Sequence, residues 1–252
     1  MQELSLLCAA LFLPLFPLGM VFNAIFQRSR NAWLRTLLLV AWPLAGLGVL
    51  HLAAVTVPAW FALWALLSAA LYGVRAVVVR EVGIWTGFLA TSAWAMVWIA
   101  LATGLAPGAL VLHVLAFSLP LVLLAFMTAE IERRYESAYA GVVAGIAQAQ
   151  PRLAGVFVVT LLAAIGSPLF PAFFALLDSI VQAAAVAPAI ASGVAVVWLM
   201  WSWSGIQLLQ QLLVGPAAAT RCDDIARGMT ATYSALLLAL LLGGIYISGV
   251  ML

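Results

Sequence analysis

Long apolar runs dominate the chain, at about 4–26, 37–55, 57–74, 83–105, 108–129, 153–168, 170–186, 188–214 and 231–252. Short stretches carrying charge, Pro or Gly separate them. A membrane-spanning helix takes about 20 mostly apolar residues, because the hydrocarbon core is about 30 Å thick and a helix rises about 1.5 Å per residue. A closed barrel would instead alternate apolar and polar positions, whereas a run such as Ala235 to Leu242 is apolar throughout. The pattern predicts an all-α, polytopic integral membrane bundle of eight or nine transmembrane helices, forming a single domain over 1–252, with one broken helix near 166–178.

The polar punctuation sets a direction. Arg28, Arg30 and Arg35 follow the first run, Arg75 and Arg80 the third, and Arg133, Arg134 and Arg152 the fifth, while the intervening connections carry no Arg. This alternation is the positive-inside signature, so those three loops are expected in the cytoplasm of a bacterial inner membrane and the N-terminus outside. The segment 130–152 is the one long polar connection. Tyr139, Val142, Val143 and Ile146 recur at helical spacing within it, which predicts a short amphipathic helix on the cytoplasmic surface. Its charges Glu130, Glu132, Arg133, Arg134 and Glu136 form a candidate docking site for a soluble subunit. Around Gly166, Pro168 and Pro171 the pattern allows either a pair of crossings between 153 and 186 or a single kinked one. A pair puts the loop 215–229 outside; a single crossing puts Arg221 and Arg227 with the other arginines.

Composition narrows the class. Of 252 residues, 67% are hydrophobic and 7% charged, against about 25% charged in a soluble domain. That excludes a soluble fold, and the net charge of +2 comes from ten arginines already explained by topology, so no nucleic-acid partner is implied. Met1-Gln2-Glu3 lacks the positive region of a secretory signal, so the first apolar run is expected to stay in the mature protein. Cys8 and Cys222 match no metal or redox spacing.

Ionisable groups inside a membrane are expensive and are therefore the first candidates for function. Asp178 follows a Pro-interrupted stretch, where it either faces a helix break that binds an ion or caps a helix near the outer surface. His113, about one turn into the fifth run, either relays protons or makes a neutral hydrogen bond to a neighbouring helix. His51 lies near the outer end of the second run, where its ring reaches the interface. The ten Trp residues are expected to anchor and pack helices. The chain has no phosphate-cradling loop, metalloprotease motif, nucleophile elbow or dinucleotide fingerprint, so no catalytic residue, metal or cofactor is predicted.

Several segments, in order from about residue 75 to 214, resemble the antiporter-like membrane subunits of respiratory complex I, Mrp antiporters, membrane-bound hydrogenases and inorganic-carbon uptake complexes. Leu112-His113-Val114-Leu115-Ala116-Phe117-Ser118-Leu119-Pro120-Leu121 is similar to the family's segment with two His four residues apart and a following Lys. His113 matches the first His; Phe117 and Leu121 stand at the other two positions. Tyr139 to Ile146 and Pro151 resemble the family's surface segment. Gly166-Ser167-Pro168-Leu169-Phe170-Pro171-Ala172-Phe173-Phe174 resembles the start of its broken helix, with Leu176 at the ionisable position. Trp201 to Pro216 resembles the helix that follows, which favours the pair of crossings. Leu89-Ala90-Thr91-Ser92 is similar to a Leu-Ala-Tyr-Ser stretch whose preceding Lys lands near Thr86.

The resemblance implies a shortened, degenerate member, with residues 81–252 as the antiporter-like half and 1–80 without a recognisable counterpart. Replacing a buried Lys by Leu removes a desolvation cost of several kcal/mol together with the proton site. The expected function is a non-enzymatic subunit that scaffolds a larger ion-coupled membrane complex. Its expected partners are lipid, a full-length antiporter-like protein and a soluble catalytic subunit on the cytoplasmic side. One alternative is a proton-conducting subunit using Asp178 and His113; another is an unrelated membrane carrier.

Overall fold

The computed structural model describes residues 2–53, 57–216 and 223–251. The helices are α1 (Gln2–Phe12), α2 (Gly19–Arg28), α3 (Ala32–Ala53), α4 (Trp60–Val78), α5 (Val82–Ala102) and α6 (Pro107–Tyr135). They continue as α7 (Ile146–Ala149), α8 (Pro151–Ala164), α9 (Pro171–Val186), α10 (Pro188–Leu213) and α11 (Arg227–Met251). Among the described residues, six are long and apolar enough to cross a membrane: α3, α4, α5, α6, α10 and α11. The rest of the predicted set is made of shorter apolar helices, α1, α8 and α9.

Local chemistry sets the helix starts. Pro opens α6, α8, α9 and α10, where its missing N–H costs nothing and its fixed φ suits the first turn. The Glu81 carboxylate accepts from the N–H groups of Gly83 and Ile84 and caps α5, and Asn31 Oδ1 accepts from Trp33 and Leu34 at the start of α3. Helix α5 is apolar all round and buried on nearly every side, so the other helices pack around it.

The run expected as one helix over 4–26 is broken at 13–18, because Pro14 and Pro17 cannot continue α1. A second break covers 165–170, where Gly166 (φ 72°) and Leu169 (φ 78°) take the left-handed conformation between α8 and α9. Backbone groups freed at such breaks need partners in a membrane interior. Indoles supply them at both. Trp98 Nε1 donates to Leu13 O at 2.8 Å, Trp42 to Leu11 O at 3.0 Å, Trp64 to Phe16 O at 2.8 Å and Trp198 to Ile165 O at 3.1 Å. Ser68 Oγ accepts from Phe16 N at 3.0 Å.

The region 153–186 does contain two helices, but they carry the chain between the ends of the bundle once rather than twice. Helix α8 has 14 residues and α9 has 16, or about 21 and 24 Å, each short of the hydrocarbon thickness. Asp224 accepts from Arg152 N (2.8 Å) and Leu153 N (3.1 Å), Ile225 O accepts from Arg152 Nη1 (3.3 Å), and Asp223 O accepts from Arg134 Nε (3.2 Å). Gly215, just past α10, packs against Ala144 and Gly145. The ends of α6 and α10 and the starts of α8 and α11 therefore meet, and Arg227 joins Arg133, Arg134 and Arg152. The expectation that this loop lies at the opposite end is overturned for its described residues, 215–216 and 223–229; Arg221 and Cys222 fall outside the described residues.

The amphipathic helix predicted within 130–152 does not form over 136–145. Glu136 (φ 60°) ends α6, and Gly141 (φ 97°) and Gly145 (φ 69°) interrupt the helical pattern. The backbone instead pairs with the α4–α5 turn: Ala140 N donates to Arg80 O at 2.8 Å and Val82 N to Ala138 O at 3.1 Å. Helix returns only as the four residues of α7.

Candidate functional site

His113 and Asp178, far apart in sequence, face each other. His113 sits two turns into α6 and Asp178 two turns into α9, so packing these helices brings Nε2 and Oδ2 to 3.2 Å. The imidazole is fully buried and the carboxylate 6% exposed. Nδ1 lies 3.0 Å from Ala109 O, one turn back on α6. A carbonyl only accepts, so Nδ1 carries a hydrogen and Nε2 is the nitrogen turned to Asp178. The contact is close enough for an ion pair but off a hydrogen-bond axis, and neither Nε2 nor Oδ2 hydrogen-bonds any other group among the described residues. Asp178 Oδ1 has a long contact of 3.4 Å from Gln182 Nε2.

Among the described residues, nothing comparable continues from the pair towards the arginine-bearing end. Leu121 and Leu176, at the positions where the resembled family carries ionisable residues, are buried at 1% and 0% exposure. Leu176 packs against Gly166, and Trp198 lies on the same glycine. Thr86 is also buried and donates to Val82 O on its own helix.

Most buried hydroxyls are closed in the same way, Tyr72 Oη being one that makes no hydrogen bond among the described residues. Trp201 Nε1 donates to Ser92 Oγ (2.9 Å), and Ser92 donates to Ala69 O (2.7 Å). Trp85 Nε1 donates to Ser204 Oγ (3.1 Å), and Ser204 donates to Trp201 O (2.9 Å). Trp94 Nε1 donates to Ser118 Oγ (3.0 Å). An indole N–H donates and never accepts, and a backbone carbonyl never donates onward, so the Ser92 and Ser204 chains end after two bonds. Thr128, Thr160 and Ser179 donate to carbonyls one turn back on their own helices.

The other predicted site residues divide. Gly166 and Pro168 lie in the 165–170 break, and Pro171 opens α9 directly after it. Of the docking set, Arg133 and Glu136 are exposed. Glu130 is held by Arg133 Nη2 (2.6 Å) and by Arg134, and Glu132 is turned inward to Arg35 Nη1 at 3.3 Å. His51 is exposed. The sequence reading missed Arg35 as a structural centre: it is 3% exposed, donates from Nε to Ser29 O (2.8 Å) and lies over the Phe26 ring. It also missed Asn23, buried in α2, which donates from Nδ2 to Thr91 Oγ1 (2.8 Å) and Gly19 O (2.9 Å). Its polar character inside an apolar run was the available signal. No group of three metal-ligating side chains occurs among the described residues.

No protein-family model and no curated protein matches the sequence. Solved structures do match its fold. A chain of respiratory complex I from Thermus thermophilus aligns with a TM-score of 0.85 at 20% identity, over 96% of this chain and 54% of that one. A chain of the Mrp complex from Dietzia sp. DQ12-45-1b aligns at 0.86 and 16%, over 99% and 57%. A chain of the membrane-bound sulfane sulfur reductase, an archaeal respiratory membrane complex, aligns at 0.81 and 15%, over 96% and 52%. The chain therefore shares its fold with chains of these three complexes. The chain spans about half the length of the chains it matches, and the likeness includes most of the first eighty residues.

Proposed function

We propose that this protein is a non-enzymatic, antiporter-like subunit of a larger ion-coupled membrane complex, where it packs against a pumping partner and carries no continuous proton path of its own. The observation that carries this reading is the closed interior. Leu121, Leu176 and Thr86 stand where the resembled family carries ionisable groups, and the hydroxyls of Ser92 and Ser204 end in indoles and backbone carbonyls. The fold shared with chains of multi-subunit membrane complexes supports membrane partners.

In this reading the chain crosses a bacterial inner membrane eight times. Six crossings are single helices, and α1 with α2 and α8 with α9 make two broken ones. The arginine-bearing end faces the cytoplasm, by the positive-inside rule, and the N-terminus lies outside. A soluble catalytic partner would meet the cytoplasmic surface around Arg133 and Glu136, the members of the docking set that are exposed.

The buried pair of His113 and Asp178 favours one further reading, a proton-conducting subunit that loads and releases at this pair. The chain reconstituted alone into liposomes separates the two. The scaffold reading predicts proton flux equal to that of empty liposomes, for the native chain and for Asp178→Asn alike. Flux through the native chain that Asp178→Asn abolishes would establish the conducting reading instead.

A further inference from the structure

The segment 136–145, between α6 and α7, is not helical, yet hydrogen bonds fix it as a strip against the turn between α4 and α5. Besides the two bonds to that turn, Tyr139 O accepts from Val142 N at 3.2 Å and from Val143 N at 3.0 Å. Ala138, Ala140 and Val143 pack inward, while Tyr139 and Val142 stay 42% and 73% exposed. Non-helical backbone does not face lipid within the hydrocarbon layer. The strip therefore lies beyond that layer, and its two exposed apolar side chains stand in water.

Arginines surround the place where the strip is anchored, the start of α5. Arg80 holds Ala140 N through its carbonyl. Arg75, in the last turn of α4, lies 5.7 Å over the Phe88 ring of α5. Arg28 and Arg30 flank Ser29, whose carbonyl accepts from Arg35, and the Arg35 guanidinium lies against Gly83 in the first turn of α5. Arg28, Arg30, Arg75 and Arg80 are all exposed, and none has a salt bridge or a side-chain hydrogen bond among the described residues. The nearest carboxylates are engaged elsewhere: Glu132 is bonded to Arg35, and Glu81 accepts from the N–H groups of Gly83 and Ile84. Glu136, at the edge of the strip, and Asp223 are the exposed carboxylates at this end among the described residues, so the arginines outnumber them.

We propose that this surface docks an acidic face of a soluble protein, with Tyr139 and Val142 in apolar contact at its centre and the four arginines paired with carboxylates around them. The proposal rests on the reading of the chain as a subunit that meets a soluble partner, and it assigns the place and chemistry of that contact. Apolar and aromatic anchors with a charged rim are the anatomy of a protein–protein contact, and unpaired charges of one sign steer and select a partner of the other. Lipid headgroups would satisfy the arginines but leave Val142, on a strip beyond the hydrocarbon, uncovered.

The photoreactive residue p-benzoylphenylalanine, placed at Tyr139, keeps an aromatic ring at the anchor and bonds on irradiation to whatever touches it. Native membranes carrying the tagged full chain are irradiated and solubilised in mild detergent. Mass spectrometry then identifies the co-purifying chains and the cross-linked peptide.

The expected result is an adduct with one soluble protein, through a peptide rich in Asp and Glu. The paired substitutions Arg28→Glu and Arg80→Glu, and separately Val142→Asp, alter exposed positions only. Each set is expected to lower the adduct yield about tenfold while the amount of folded chain is unchanged. Adducts only with lipid or with a membrane-spanning chain, or a soluble adduct insensitive to these substitutions, would overturn the proposal. A soluble chain that co-purifies without any adduct at Tyr139 would overturn this surface and leave the subunit reading intact. Neither an adduct nor a co-purifying chain would overturn both.

Discussion

His113 and Asp178 contact each other in an interior with few other ionisable groups, and the energetics of such a pair are asymmetric. Removing one partner strands the other, at a typical cost of about 3–5 kcal/mol, while replacing both with apolar residues is often neutral or stabilising. His113→Leu and Asp178→Leu are each expected to destabilise the chain by that order, and the double replacement to recover most of the loss, as measured by unfolding in detergent. Additive losses would mean that the contact at 3.2 Å carries no coupling. Each residue was visible in the sequence, because ionisable groups within apolar runs are few. Their pairing was not, since no spacing rule connects positions on α6 and α9. The indole locks on Ser92, Ser118 and Ser204 were invisible for another reason: a Trp inside an apolar run reads the same whether it anchors a helix or donates to a buried hydroxyl.

Breaks in helices are where a membrane fold is most exposed to unpaired backbone, and here indoles close them. Trp98 is fully buried and donates to Leu13 O within the 13–18 break. Trp98→Phe keeps most of the ring volume and removes the donor, so it is expected to cost about 1–3 kcal/mol, the penalty for an orphaned buried carbonyl. A thermal unfolding series in detergent checks this; no loss would mean that another group takes over the carbonyl. The break at 165–170 was legible from Gly166, Pro168 and Pro171, which sit together. The break at 13–18 went unread because Leu13, Leu15, Phe16 and Leu18 around Pro14 and Pro17 keep the run apolar from end to end. The spacing of Tyr139, Val142, Val143 and Ile146 misled in the opposite direction. Apolar periodicity there reflects Val143 packing inward from a non-helical stretch whose Ala138 and Ala140 pair with Val82 and Arg80, and Ile146 packing inward at the start of the short α7.

Across the whole molecule, the arginines expose the topology more faithfully than motif resemblance does. The resemblance of 201–216 favoured two crossings between 153 and 186. Charge alternation offered the opposite alternative, and the hydrogen bonds of Arg134 and Arg152 to Asp223, Asp224 and Ile225 agree with charge. The all-helical membrane class was legible from the apolar runs, and the fold from a few ordered segments. Partners leave no such trace, because helices that face lipid and helices that face another subunit have the same apolar composition. The central claim, that this chain is a packing subunit of an ion-coupled complex, is tested most directly by purifying the tagged protein from native membranes in mild detergent and identifying every chain that comes with it in fixed ratio. The account predicts a longer antiporter-like protein together with a soluble catalytic subunit. A stable chain that purifies alone would contradict it.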